Sequence, residues 1–142
     1  MKNQIYSTLI LLLALVSACK KDETVSASGT FTAKFSFYNT TTNTWSTAET
    51  FTAKTVLTTK TGNDYTIVAT DANANVLTLY GVGITAAGKY TTRGVFVKNG
   101  KTYNSSASQL NITVLTANSL NATFIAENTD WSIYDGKLDA TF

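Results

Sequence analysis

The chain has 142 residues, a formal net charge of +2, no histidine, no proline and one cysteine. Lacking histidine, it has no side chain of the kind that usually serves as general base near neutral pH, which excludes a Ser-His-Asp or Cys-His centre and a His or Cys zinc site. The near-neutral charge gives no basic field for nucleic acid and no acidic field for cationic partners.

Lys2 forms a positive start, Ile5 to Val16 an apolar run, and Val16-Ser17-Ala18-Cys19 closes the segment with small residues before the only cysteine. The apolar run is shorter than the roughly 20 residues needed to cross a hydrocarbon core. Residues 1–18 therefore read as a helical, cleavable signal peptide. The V-S-A-C pattern resembles the lipobox of bacterial lipoproteins. That resemblance implies acylation of Cys19 by palmitate-type chains, cleavage before it, and attachment to a membrane from outside the cytoplasm. The mature domain then has no cysteine and must hold its shape by core burial rather than disulfides.

Lys20-Lys21-Asp22-Glu23 and the small, polar Thr24 to Gly29 read as a flexible tether, so the tether is expected over residues 19–29. Lysine followed by two acids just after the cysteine resembles the surface-export signal of Bacteroidota lipoproteins. It implies a lipid-anchored outer-membrane protein at the cell surface, with the periplasmic face as the alternative. Residues 30–142 are enough for one β-domain and too few for two.

Period-two alternation recurs through this domain, with turn residues at short intervals and no helical apolar spacing. Phe31, Ala33, Phe35 and Phe37 share one face of a first strand, with Thr32, Lys34 and Ser36 on the other. Phe51, Ala53, Thr55 and Leu57 form a second stripe; Tyr65, Ile67 and Ala69 form a third after the turn at Gly62-Asn63-Asp64. Val76 to Tyr80 follows the turn Asp71 to Asn75.

Tyr90 to Val97 runs into Asn99-Gly100, the strongest hairpin signal in the chain, because both central residues of a type I′ turn need positive φ. Lys101 to Asn104 returns from it, and Ser105 to Ser108 reads as a loop. Leu110, Ile112 and Val114 pair across Asn118-Ser119 with Leu120, Ala122, Phe124 and Ala126. Trp131 to Phe142 reads as one closing strand with a glycine bulge at Asp135-Gly136. The expectation is an all-β fold, an antiparallel sandwich or small barrel of about eight or nine strands.

Two C-terminal runs, N-S-L-N-A-T-F over Asn118 to Phe124 and I-Y-D-G-K-L-D-A-T-F over Ile133 to Phe142, resemble the DUF6252-like small lipoproteins of the Bacteroidota. In that family a G-T-F type triplet precedes a closing strand of the form I-T-N-G-x-F-D-V. Tyr65 to Thr92 looks similar too. Ala122 stands where the family often has Gly, and Leu138 where it often has Phe. The resemblance implies the location and the fold class; the family is one of unknown function and brings no catalytic residues.

Asp71-Ala72-Asn73-Ala74-Asn75 has the spacing that opens a calcium loop, but Val76 stands where glycine is needed and Val82 where a bidentate acid is needed. It reads as a polar turn. Asp130, Asp135 and Asp139 are close in sequence yet read as turn and surface acids. The N-x-S/T triplets at Asn39, Asn104, Asn111 and Asn121 read as β-sheet composition. Trp131, heading the closing strand, is expected to pack.

Trp45 lies between a Thr/Asn-rich loop and a polar segment, outside any apolar stripe, and with Tyr38 is the candidate ligand or partner contact. The expected function is a non-enzymatic binding or accessory module in an outer-membrane protein assembly. Its partner would be met at an exposed sheet edge or at the loop cluster carrying Trp45. The alternative is a surface glycan-binding module using exposed aromatics. No catalytic residue, metal or cofactor is expected, and the lipid on Cys19 is the expected membrane contact.

Overall fold

The computed structural model describes residues 23–26 and 28–142. Among them are ten strands: β1 (Glu23–Ser26), β2 (Ser28–Asn39), β3 (Thr44–Trp45), β4 (Glu49–Thr61), β5 (Asp64–Asp71), β6 (Val76–Gly81), β7 (Gly88–Lys98), β8 (Lys101–Leu115), β9 (Ser119–Glu127) and β10 (Trp131–Thr141). From β4 to β10 each strand pairs antiparallel with the next. β2 then lies between the two ends of this meander, bonded to β10 on one side and to β4 on the other. Eight strands thus close into a barrel, which decides between the two architectures the periodicity admits.

β1 continues the line of β2. It pairs with the far end of β4, Glu23 opposite Thr61 and Ser26 opposite Thr58. Ladder pairing therefore begins ahead of residue 30, inside the segment read as tether.

The barrel has two ends. The upper end carries segment 40–48 and the turns 72–75, 99–100 and 128–130; the lower end carries the turns 62–63, 82–87 and 116–118. The strongest hairpin signal folds as expected, with Asn99 and Gly100 at φ 50° and 77°.

Eight strands enclose a space that side chains just fill, and here they fill it. Phe35 and Phe96 stack at 4.2 Å, and Trp131 lies parallel to Phe35 at 6.3 Å. Phe51 meets Phe31 edge to face at 5.9 Å. Trp131 is fully buried, as expected, and its indole N–H donates to the Asn104 carbonyl at 3.2 Å. Small residues, Ala33, Ala69, Ala122, Ala126 and Ala140, make room between the rings. Truncating one such buried aromatic to Ala removes about 3–5 kcal/mol.

The alternation is interrupted by bulges, and these account for three departures from the expected stripes. In β4 an extra residue between Ala53 and Thr55 inverts the phase. Val56 and Thr58 turn inward, while Thr55 and Leu57, expected inside, are exposed. In β8 an extra residue between Ile112 and Val114 leaves Val114 on the outside.

Ser105 to Ser108 is not a loop but the middle of β8, where one more residue is absorbed opposite Thr92 to Gly94. Ser105 and Ser108 are buried and Ser108 Oγ donates to Ser105 Oγ at 2.8 Å, so these small hydroxyls satisfy each other next to Gly94.

The expected bulge in β10 is present. Register shifts at Asp135-Gly136 against both β9 and β2, and Asp135 takes φ 55°. A Cβ at Gly136 would fall against the Phe124 carbonyl. Gly136→Ala should therefore lower stability by about 1–3 kcal/mol, read as a lowered urea midpoint with unchanged m. An unchanged midpoint would mean that β10 passes β9 without this close approach.

Candidate functional site

The candidate contact residues meet at the upper end. Tyr38, the residue before the last of β2, pairs with Trp45 of β3, their rings 5.5 Å apart and tilted by 56°. Trp45 is 47% exposed and Tyr38 half-buried.

The excursion that carries Trp45 is fixed by its own polar residues. Asn39 Oδ1 accepts the backbone N–H groups of Thr41 and Thr42 at 2.9 and 3.3 Å, an Asx turn that starts the reversal. Asn43 takes φ 52° and accepts the Tyr38 hydroxyl at 3.3 Å. Ser46 closes the excursion, donating its N–H to the Phe37 carbonyl at 2.8 Å and accepting the Phe37 N–H on Oγ at 3.0 Å. The indole is thus held out by a hydrogen-bonded hairpin.

Below this pair the outer face of β2 runs down the barrel wall. Ser36 Oγ and the Tyr134 hydroxyl are 3.1 Å apart. The Lys34 ammonium donates to Asp135 Oδ2 at 2.9 Å. That hydrogen bond, and then the carboxylate's charge, raise the Lys34 pKa above its ordinary value of 10.5. Asp135 reaches Lys34 from the bulged residue of β10. An open depression of about 420 Å³ follows, lined by Thr32, Ala33, Lys34, Thr50, Asp135 and Lys137.

The barrel's upper mouth holds much less space. A cavity of about 30 Å³ lies among Phe35, Phe37, Phe51 and Phe96, room for water rather than an organic ligand. Lys98 covers it, its ammonium 4.5 Å from the Phe37 ring centroid and bonded to the Glu49 carboxylate.

The remaining sequence candidates are dispersed. Asp130 sits in the 128–130 turn, Asp135 binds Lys34, and Asp139 lies toward the other end of β10 opposite Thr30; all three are exposed. Asp71 serves its turn: Oδ1 accepts the N–H groups of Asn73 and Asn75 at 2.8 and 2.9 Å, and Oδ2 accepts Asn75 Nδ2 at 2.8 Å. Among the described residues no three His, Cys, Asp or Glu side chains gather. Cys19, the expected lipid attachment, lies outside the described residues.

Sequence reasoning did not find the Ser36, Tyr134, Lys34, Asp135 column. Alternation puts Ser36 and Lys34 on the outer face, but nothing local says that β10 lies beside them. The chain matches no family model, curated protein or solved structure.

The two tryptophans should separate in solution. Iodide should quench the Trp45 fluorescence left in Trp131→Phe and leave the Trp131 fluorescence of Trp45→Phe nearly untouched. Equal quenching would contradict either the projecting hairpin or the filled barrel.

Proposed function

We propose that the chain is an outer-membrane lipoprotein, anchored through Cys19 and facing the cell surface, whose barrel is a non-enzymatic binding module in a membrane protein assembly. Kinship with the DUF6252-like lipoproteins is part of this reading; the two runs that carry the resemblance lie in neighbouring strands, β9 and β10.

The observation that carries the proposal is the Trp45 hairpin. A large aromatic side chain held at 47% exposure on a pre-ordered turn is the kind of residue that dominates binding interfaces, because little freedom remains to be lost on contact. Of the two routes expected for a protein partner, the loop cluster is favoured. Closure leaves β2 and β4–β10 with neighbours on both sides, so among the described residues strand addition could use only the short β1 and β3.

A second reading, a glycan-binding module, draws on the outer face of β2. Tyr38 and Lys34 are separated by about 13 Å of strand. The aromatic pair and the polar depression together offer a stacking face and hydrogen-bonding groups at oligosaccharide spacing.

The test is co-purification of the tagged, lipidated protein from gently solubilised native membranes, beside its Trp45→Ala variant. The proposal expects a stoichiometric membrane protein with the wild type and its loss with Trp45→Ala, while the unfolding midpoint changes by less than about 0.5 kcal/mol equivalent. A clean monomer in both would overturn the assembly. A shift of Trp45 fluorescence by a polysaccharide in Trp131→Phe would then favour the glycan.

A further inference from the structure

The anchor and the Trp45 hairpin belong to opposite ends of the barrel. β1 starts at Glu23, opposite Thr61, beside the lower turn at Gly62-Asn63. Cys19 is four residues ahead of Glu23, so an acyl-bearing Cys19 lies within about 14 Å of that point even with the chain fully extended. β4 has 13 residues, which at typical rise and tilt is about 30 Å along a barrel axis. A tether this short does not bring the upper end to the bilayer that holds the lipid.

The lower end suits a lipid surface where the anchor leaves it. The 82–87 turn reads Val-Gly-Ile-Thr-Ala-Ala, and neither it nor the 62–63 and 116–118 turns contains a charged residue, so contact there strips no turn side chain of an ionic hydration shell. Val82 is 73% exposed.

Val82 is held out by a pinned loop. Ile84 is buried and donates its N–H to the Asn63 carbonyl at 2.8 Å, tying the loop to the turn beside β1. Gly83 donates to Asp64 Oδ1 at 3.0 Å, and the Tyr90 hydroxyl donates to the Ala86 carbonyl at 2.8 Å.

Next to Val82 an open depression of about 440 Å³ is lined by Tyr80, Thr91, Thr92 and Arg93. The Arg93 guanidinium lies 5.3 Å over the Tyr80 ring, which is itself exposed. An apolar tip backed by a tyrosine and a cation matches the order of acyl boundary, interface and phosphate headgroup.

We propose that this lower end is a membrane-contact surface. The barrel stands on the bilayer with Val82 at the acyl boundary and Tyr80 and Arg93 among the headgroups, and the Trp45 hairpin points away. This rests on the lipoprotein reading above.

The test uses the full lipidated protein in vesicles of phosphatidylethanolamine and phosphatidylglycerol, carrying one nitroxide at Val82→Cys, Thr42→Cys or Glu127→Cys. Relaxation by nickel chelated to lipid headgroups should be several-fold stronger at position 82 than at 42 on the upper end or at 127, the exposed upper end of β9. Equal relaxation at all three, or stronger relaxation at 42 or 127, overturns the orientation. Intact mass of the same samples reads the acyl chains: a bare Cys19 overturns the anchor itself, whereas an acylated Cys19 with uniform relaxation overturns the orientation alone.

Discussion

β2 is hydrogen-bonded along both edges, to β10 through Trp131↔Phe37 to Thr141↔Ser28 and to β4 through Thr32↔Thr52 to Phe35↔Glu49. This closure makes the inside of every strand a different place from the outside. With it, Phe31, Ala33 and Phe35 face the same interior as Phe96, Phe124 and Trp131, and burial of their apolar surface drives the fold. It also joins segments from opposite ends of the chain, so the contacts that complete the core are among the most distant in sequence.

Because the closed space is filled by its own side chains, the chemistry available to a partner lies on the outer wall and at the ends. Lys98 and Glu49 cap the upper mouth over a ring of phenylalanines. The outer column from Tyr38 down to Lys137 owes its composition to the same alternation that fills the core, since each inward phenylalanine or alanine of β2 is followed by an outward polar residue. The bulge at Asp135-Gly136 links the two faces. Its extra residue lets β10 pass Phe124 closely and also puts the Asp135 carboxylate in reach of Lys34.

Much of this was legible in the sequence where the signal is local. The Phe31 to Phe37 alternation, the positive φ of Asn99-Gly100, the Asp135-Gly136 bulge and the burial of Trp131 each follow from a few neighbouring residues. For Trp45 the sequence shows only a position outside any apolar stripe; its exposure depends on the hairpin folded by the Asn39 and Ser46 hydrogen bonds. What was hidden depends on distant pairing. Leu57 and Val114 look like core residues because a single extra residue elsewhere in their strands turns them outward. Ser105 to Ser108 looks like a loop because the burial of Ser105 and Ser108 needs Gly94 across the sheet. The meeting of Ser36 with Tyr134 needs the closure itself, as does the choice of barrel over sandwich.

The most direct test of the account is whether Thr32 has both of its neighbours in one molecule. Interstrand NOEs in a dilute, monomeric sample should connect Thr32 to Thr52 of β4 and also to Lys137 of β10. Both sets together are the result expected of a closed barrel. The β10 contacts without those to β4 would mean an open sheet, and the filled interior on which the rest depends would have to be abandoned.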